Sequence, residues 1–274
     1  MESVNYSIIQ TIDMQVSGQS MVDSETEIIW EYEKREGSDA FYDKVSQKKY
    51  TIKYIKSIYR PLAEYMQKFN SPLDLLFLKI APQGGIAEIK NQESIYDQWL
   101  EVKKELTSEM GNTLEEKQIL EGGDKDFSNS LPLLKKNLIF RLFFMKLYKT
   151  YLISDSYNLV DSFTYVSQIF EQENVSLITK QKVEKNNYLL KIKFYSEADL
   201  LKIDKLKELY NSKLKDFLKQ EFDYSFSWSL EYTFDLRNNQ MLSCHSKIKE
   251  QACSHYKYLT EHKISLIEKN ITNE

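Results

Sequence analysis

The chain has 274 residues, of which 42% are hydrophobic and 28% charged, and its formal net charge at pH 7 is −4. This composition excludes a disordered chain and provides a core for one large domain, or for two closely packed halves over residues 1–155 and 156–274. Because lysines are interspersed with acidic residues and form no basic block, the sequence argues against nucleic-acid binding.

The sequence predicts a cytoplasmic protein without a membrane span, provided that Met1 is the native start. Residues 1–5 lack the basic region and the apolar run of a signal peptide. The most apolar stretch, residues 131–152, is interrupted by five basic residues and is typical of a soluble helix. Two cysteines, Cys244 and Cys253, are too few for a disulfide framework.

The N-terminal region alternates apolar and polar residues. Alternation runs from Tyr6 to Val16, with Gln10 as an exception, and again over residues 28–32, and a third strand is predicted over residues 41–58. Gly18 lies in a turn between the first two segments. Since successive side chains of a strand point to opposite faces, residues 4–58 predict an antiparallel meander.

The middle of the chain has helical spacing. Pro61 suits the first turn of a helix whose apolar side carries Leu62, Tyr65, Met66 and Phe69. Residues 73–80 and 86–89 predict a hairpin, and residues 94–110 predict a second helix.

Two further helices are predicted before residue 152. Thr113 and Glu116 match a capping box, and they begin a short helix that we expect to end at the glycine pair 122–123. A longer helix is predicted over residues 131–151. Its apolar residues cover most of its circumference, and we therefore expect it to be the most buried helix.

The last third returns to strands. A strand is predicted over residues 188–194, and an amphipathic helix capped by Ser196 with Asp199 follows it. Seven large apolar residues then stand at two-residue spacing: Tyr224, Phe226, Trp228, Leu230, Tyr232, Phe234 and Leu236. A return strand and a final strand over residues 256–267 complete a second meander. The order predicts an α+β fold in which a large, curved antiparallel sheet, with N- and C-terminal meanders, packs over a central helical layer.

The histidines and cysteines all lie late in the chain. His245, Cys253 and His255 have the same parity and could converge across a turn, but their spacing is not that of a zinc site. A Cys–His nucleophile would need an orienting group and an oxyanion site, and no glycine follows Gly123. The sequence therefore predicts no metal, no cofactor and no catalytic residue. An enzyme of unrecognised type, using His245 or His255, is a third interpretation after the two given below.

Four glutamates form the candidate partner-binding site. Glu25, Glu27, Glu31 and Glu33 share one parity along the second predicted strand and would form an acidic row in water. Such a row could bind a basic partner or a cation; it could equally be an ordinary solvated sheet face.

Residues 6–14, Gly18, residues 25–32 and the closing hairpin 228–250 together resemble uncharacterised bacterial β-rich proteins. The resemblance covers about a quarter of the chain and contains no catalytic motif. It implies a sheet wrapped around helices. Some similar proteins are exported lipoproteins, and others are cytosolic proteins encoded among type VI secretion or polymorphic-toxin genes. For this chain, the resemblance implies an interaction role.

These observations predict a non-enzymatic protein-binding module, such as an effector-loading adaptor or chaperone, or a toxin-immunity protein. Its partner would be another protein, for example a secreted effector or toxin. The second interpretation is a carrier of an apolar small molecule, held between the sheet and the helices in a cavity lined from the 224–236 face.

Overall fold

The computed structural model describes residues 3–36, 41–82, 84–109, 113–145, 154–160, 163–170 and 173–267. It confirms the predicted α+β fold: antiparallel strands form one open, curved sheet with helices packed on it. The strands are β1 Val4–Val16, β2 Gln19–Glu36, β3 Phe41–Ile55, β4 Leu75–Ile80, β5 Ile86–Ile89, β6 Ser154–Val160, β7 Thr164–Val166, β8 Asn174–Asn186, β9 Leu189–Ala198, β10 Ser225–Asp235, β11 Gln240–Cys253 and β12 Tyr256–Ile267.

The strand order across the sheet is β5-β4-β3-β2-β1-β12-β11-β10-β9-β8-β6, and the short strand β7 pairs with β8. Each meander keeps its sequence order. Strands β1 and β12, from opposite ends of the chain, pair in antiparallel register over the length of β1 from Asn5 to Val16. This pairing joins the two predicted meanders into a single sheet.

The helices are α1 Arg60–Asn70, α2 Gln92–Glu109, α3 Leu114–Ser128, α4 Leu131–Lys136, α5 Leu138–Phe143, α6 Asp204–Leu209 and α7 Lys215–Leu218, with a π-helical turn at Tyr210–Leu214 between the last two. Helix α5 lies on the inner face of the sheet. Its Phe140 and Phe143 contact Trp30 of β2 at ring-centroid distances of 4.8 and 5.5 Å. Among the helices of the described ranges, none is long and apolar enough to cross a membrane.

The predicted long helix over residues 131–151 is wrong. Asn137 adopts an extended backbone conformation, and its Oδ1 accepts hydrogen bonds from the backbone N–H groups of Ile139 and Phe140. Asparagine is a preferred N-cap residue because its short side chain satisfies these free donors. The helix is therefore divided into α4 and α5, and α5 ends at Phe143; residues 146–151 lie outside the described ranges.

The predicted end of α3 at the glycine pair is also wrong, since the helix continues to Ser128. Gly123 instead allows close packing against α2. A Cβ atom at this position would lie 2.2 Å from Cζ2 of Trp99, which is fully buried. The predicted capping box of Thr113 and Glu116 is present at the start of the same helix.

Candidate functional site

The four predicted glutamates lie on the outward face of β2, opposite to the buried Ile28 and Trp30. Three of them have basic neighbours. Lys53 lies 2.7 Å from Glu27, Lys48 lies 2.8 Å from Glu31, and Glu33 is paired with Arg35 at 2.7 Å. Hydrogen bonds from these bases lower the pKa values of all three carboxyl groups. For Glu25, no base of the described ranges lies within ion-pair distance.

The lysine partners come from two irregularities in β3. The register between β2 and β3 passes from Gln47 to Lys49 and from Ile52 to Tyr54, so that Lys48 and Lys53 are the extra residues of two β-bulges. A bulge adds one residue to a strand and changes the face to which the following residues point. The acidic row is therefore part of a mixed-charge ladder rather than a purely acidic surface.

The residues considered for a metal or nucleophilic site are not brought together. Cys244 is buried, and its neighbour His245 points outward, where its Nε2 lies 2.5 Å from Glu261 Oε1. Along β11, His245 and Cys253 are eight residues apart, roughly 26 Å. Within the described ranges, no group of three or more His, Cys, Asp or Glu side chains could hold a metal ion.

The inner face of β10, expected to line a ligand cavity, is packed by other elements. Tyr165 of β7 lies over Phe226 at 4.7 Å, and Phe163 lies 6.1 Å from Trp228. The hydroxyl of Tyr232 donates to the carbonyl of Leu142 at the end of α5. These contacts leave the six inward-facing apolar side chains of this segment, at the even-numbered positions 224 to 234, at most 8% exposed. An apolar ligand would therefore need a different surface.

A buried carboxyl group, which the sequence analysis did not identify, lies on the inner face of β11. Glu250 accepts hydrogen bonds from Ser167 Oγ at 2.5 Å, from the backbone N–H of Gln168 at 3.0 Å and from the Tyr224 hydroxyl at 3.3 Å. Burial nevertheless raises its pKa. These bonds fix the turn after β7 to the sheet. The inward parity of position 250 could have been read from the sequence, but its partners are more than 20 residues away.

A second inward polar group is His262 on β12, which is 1% exposed. Its Nε2 lies 3.0 Å from the side-chain nitrogen of Gln10, the one polar residue that interrupts the apolar alternation of β1. Its Nδ1 is buried and has no hydrogen-bond partner in the described parts of the chain. Burial lowers the pKa of His262 to about 4, so that the ring is neutral at neutral pH.

The apolar side chains next to His262 are less well covered. Ile12, Met14 and Val16 of β1 and Val22 of β2 point to the inner face, and all four are only half-buried. The inner side chains of neighbouring strands, such as Ile248 and Tyr258, are buried. At the end of the sheet where β1 turns into β2, the side chains of the inner face are therefore incompletely covered by other elements.

Helix α1 begins at the same end of the sheet and carries exposed apolar residues. Ile58, in the turn before the helix, is 78% exposed, Leu62 is 59% exposed and Met66 is 42% exposed. Leu62 and Met66 are four residues apart and share one side of the helix, and Ile58 lies four residues before Leu62. The rest of the helix's apolar side is better covered: Phe69 is packed against Trp99 at 4.9 Å, and Tyr65 is partly buried against the same core.

The start of α1 and the β1–β2 hairpin are adjacent. Ile55, the last residue of β3, pairs with Ser24, which in turn pairs with Ile12. The ammonium group of Lys56 donates to the backbone carbonyl of Ser20 in the hairpin. We refer to these side chains together as the α1–β1 patch: Ile12, Met14, Val16, Val22, Ile58, Leu62 and Met66.

No protein-family model and no curated protein matches the sequence. The fold is similar to a solved structure described as lipid–protein interactions in lipovitellin, with a TM-score of 0.49 and 9% sequence identity. The superposition covers 97% of this chain and 25% of that chain, so that this chain spans a quarter of that protein's length.

Proposed function

We propose that the protein is a non-enzymatic binding protein and that the α1–β1 patch binds the apolar part of a small molecule. The observation that carries this proposal is the exposure of Ile58, Leu62 and Met66 on the segment that follows β3, whose last residue pairs with β2 near the half-buried inner residues. The sequence supports the non-enzymatic part, because its histidines and cysteines form no recognisable catalytic motif.

Hydrophobic burial favours occupation of this patch. Removing a large apolar side chain from water contributes about 1.5–3 kcal/mol. Contiguous exposed apolar patches are uncommon on soluble proteins and mark binding surfaces. A ligand that covered Leu62, Met66 and the half-buried side chains of β1 would therefore gain several such contributions.

The shape of the patch favours a small, elongated ligand. The four strand residues of the patch lie on the inner face of a curved sheet. Ile58, Leu62 and Met66 are much more exposed than these strand residues. A folded partner protein could cover α1 but would reach the inner face of β1 less easily. An apolar chain could contact both.

This function is tested by titrating the protein with N-phenyl-1-naphthylamine, whose fluorescence increases in apolar surroundings. We expect saturable binding to the wild-type protein. The double variant Leu62→Gln, Met66→Gln should bind the probe about tenfold or more weakly, because it removes two apolar contacts. Both positions are already exposed, and the fold should tolerate the change.

The matched control is the double variant Leu159→Gln, Ile178→Gln. These side chains are 71% and 47% exposed and lie on β6 and β8, at the opposite edge of the sheet. The control should bind the probe as the wild type does. Equal loss of binding in both double variants, or no binding by the wild type, would contradict the proposed function.

The outward face of β2 supports a second candidate function, binding of another protein. The four glutamates share this face, and Glu25 lacks a basic partner in the described ranges. A basic surface could bind Glu25 and compete with Lys53, Lys48 and Arg35 for the other three carboxylates. The resemblance to proteins of secretion and toxin loci would make a secreted effector or toxin the partner, and this chain an adaptor or immunity protein.

Purification from the native host tests this second candidate. A stoichiometric protein partner that is lost when Glu25, Glu27, Glu31 and Glu33 are all changed to Ser would support it. If the partner remains bound to the quadruple variant, the glutamates are not the binding site.

A further inference from the structure

The geometry points to His262 Nδ1–H as the hydrogen-bond donor to an oxygen atom of the ligand. The inference rests on the proposed function and specifies the ligand as an apolar chain that carries an oxygen acceptor, such as an alcohol or ester group. It follows from the tautomer of His262, from the burial of Nδ1 and from the position of the ring beside the α1–β1 patch.

The tautomer follows from the contact with Gln10. The side-chain nitrogen of Gln10 is an amide –NH2 group and can only donate, so His262 Nε2 must accept. A neutral imidazole with an accepting Nε2 carries its proton on Nδ1. Nδ1 is therefore an N–H donor rather than a second acceptor.

This donor lacks an acceptor although it is buried. Nδ1 has no partner within the described ranges, and His262 as a whole is 1% exposed. The neighbouring polar groups of the inner face are already paired: Trp228 Nε1 donates to Ser246 Oγ at 2.9 Å, and Thr260 Oγ1 donates to the carbonyl of Thr11. A buried donor without a partner is unfavourable, and a ligand that supplies an acceptor would remove this cost.

His262 lies next to the patch in the sheet. It pairs with Gln10, and Thr260, two residues before it, pairs with Ile12. His262 and Ile12 are thus diagonal neighbours on the inner face, about 7–8 Å apart. A ligand whose apolar chain covers Met14 and Ile12 would place its end group beside the imidazole.

The first experiment compares dodecanol with dodecane, both delivered from cyclodextrin, as competitors of N-phenyl-1-naphthylamine. We expect the wild-type protein to prefer dodecanol by about tenfold, which corresponds to one hydrogen bond at 1.4 kcal/mol per factor of ten. In His262→Phe the preference should fall to about one, while dodecane binds as before. An unchanged preference in the variant would overturn the inference and leave the proposed function intact. If neither competitor displaces the probe, the proposed function itself fails.

The second experiment needs no variant and is independent of the variant's folding. Nitrogen-15 NMR of the wild-type protein should show a protonated Nδ1 and an unprotonated Nε2 for His262. Saturation with dodecanol should move the Nδ1–H proton signal downfield, and saturation with dodecane should leave it unchanged. An unprotonated Nδ1, or a signal that does not move with dodecanol, would overturn the inference.

Discussion

At the scale of single residues, the positions of the glutamates could be predicted from the sequence but their partners could not. Strict alternation around Ile28 and Trp30 is sufficient to place Glu27 and Glu31 on the outward face. The pairing of these residues with Lys53 and Lys48 depends on two bulges in β3, which change its parity twice. Bulges leave no simple signature in the alternation of apolar residues.

Glu250 gives a prediction for the pH dependence of stability. Its pKa is raised in the folded state, so that the folded protein holds this proton at pH values where the unfolded chain has lost it. Stability from this group therefore falls as the pH rises from the ordinary glutamate pKa to the raised value. Glutamine does not titrate, so the Glu250→Gln variant does not lose stability in this way as the pH rises. The free energy of unfolding of the variant, minus that of the wild type, should increase with pH across this window, as measured by urea unfolding between pH 3.5 and 8.

Glu27→Gln is a control in which the effect of the substitution on stability should change with pH in the opposite direction. The hydrogen bond from Lys53 lowers the pKa of Glu27, so that this group contributes stability above the ordinary glutamate pKa and loses it as the pH falls. The free energy of unfolding of Glu27→Gln, minus that of the wild type, should therefore decrease with rising pH. A difference that is independent of pH for Glu250→Gln would show that the carboxyl group is not held in the environment described here.

At the scale of elements, strands with strict alternation were predicted well and helix ends were not. The final strand was predicted over residues 256–267, as observed, because its inner side chains alternate regularly with outer ones. The break between α4 and α5 depends on the side chain of Asn137. The apolar pattern continues on both sides of this residue and therefore does not indicate a helix boundary. Strand β8 was missed because polar Thr179 faces inward and apolar Ile178 faces outward.

The glycine pair of α3 provides a matched test of helix packing. In Gly123→Ala, the new Cβ would lie 2.2 and 2.4 Å from ring atoms of the buried Trp99, and we expect destabilisation of about 1–3 kcal/mol. Gly122 has no atom within 4 Å of the corresponding position. Gly122→Ala should therefore stabilise the protein by about 0.5–1 kcal/mol, since alanine favours a helix. Urea unfolding midpoints that do not differ between the two variants would contradict the packing of α3 on α2.

At the scale of the whole molecule, the sequence was sufficient to predict the sheet but not the site. Alternation along Tyr6–Val16 and over residues 224–236 predicts which faces are buried, and burial of those faces requires an antiparallel sheet. The α1–β1 patch could not be predicted in the same way. Leu62, Met66 and Phe69 belong to one apolar side of α1, yet only Phe69 is buried. Which end of a helix is covered depends on the lengths and positions of other elements.

Native mass spectrometry of protein isolated gently from its own host tests whether the α1–β1 patch binds a small apolar molecule. We predict a small additional mass that is released on denaturation and is absent from Leu62→Gln, Met66→Gln prepared in the same way. A stoichiometric protein partner without a small bound mass would contradict this claim and favour binding through the outward face of β2. A monomer without any bound mass would also contradict binding of a small molecule, and would favour the interpretation of the chain as an enzyme.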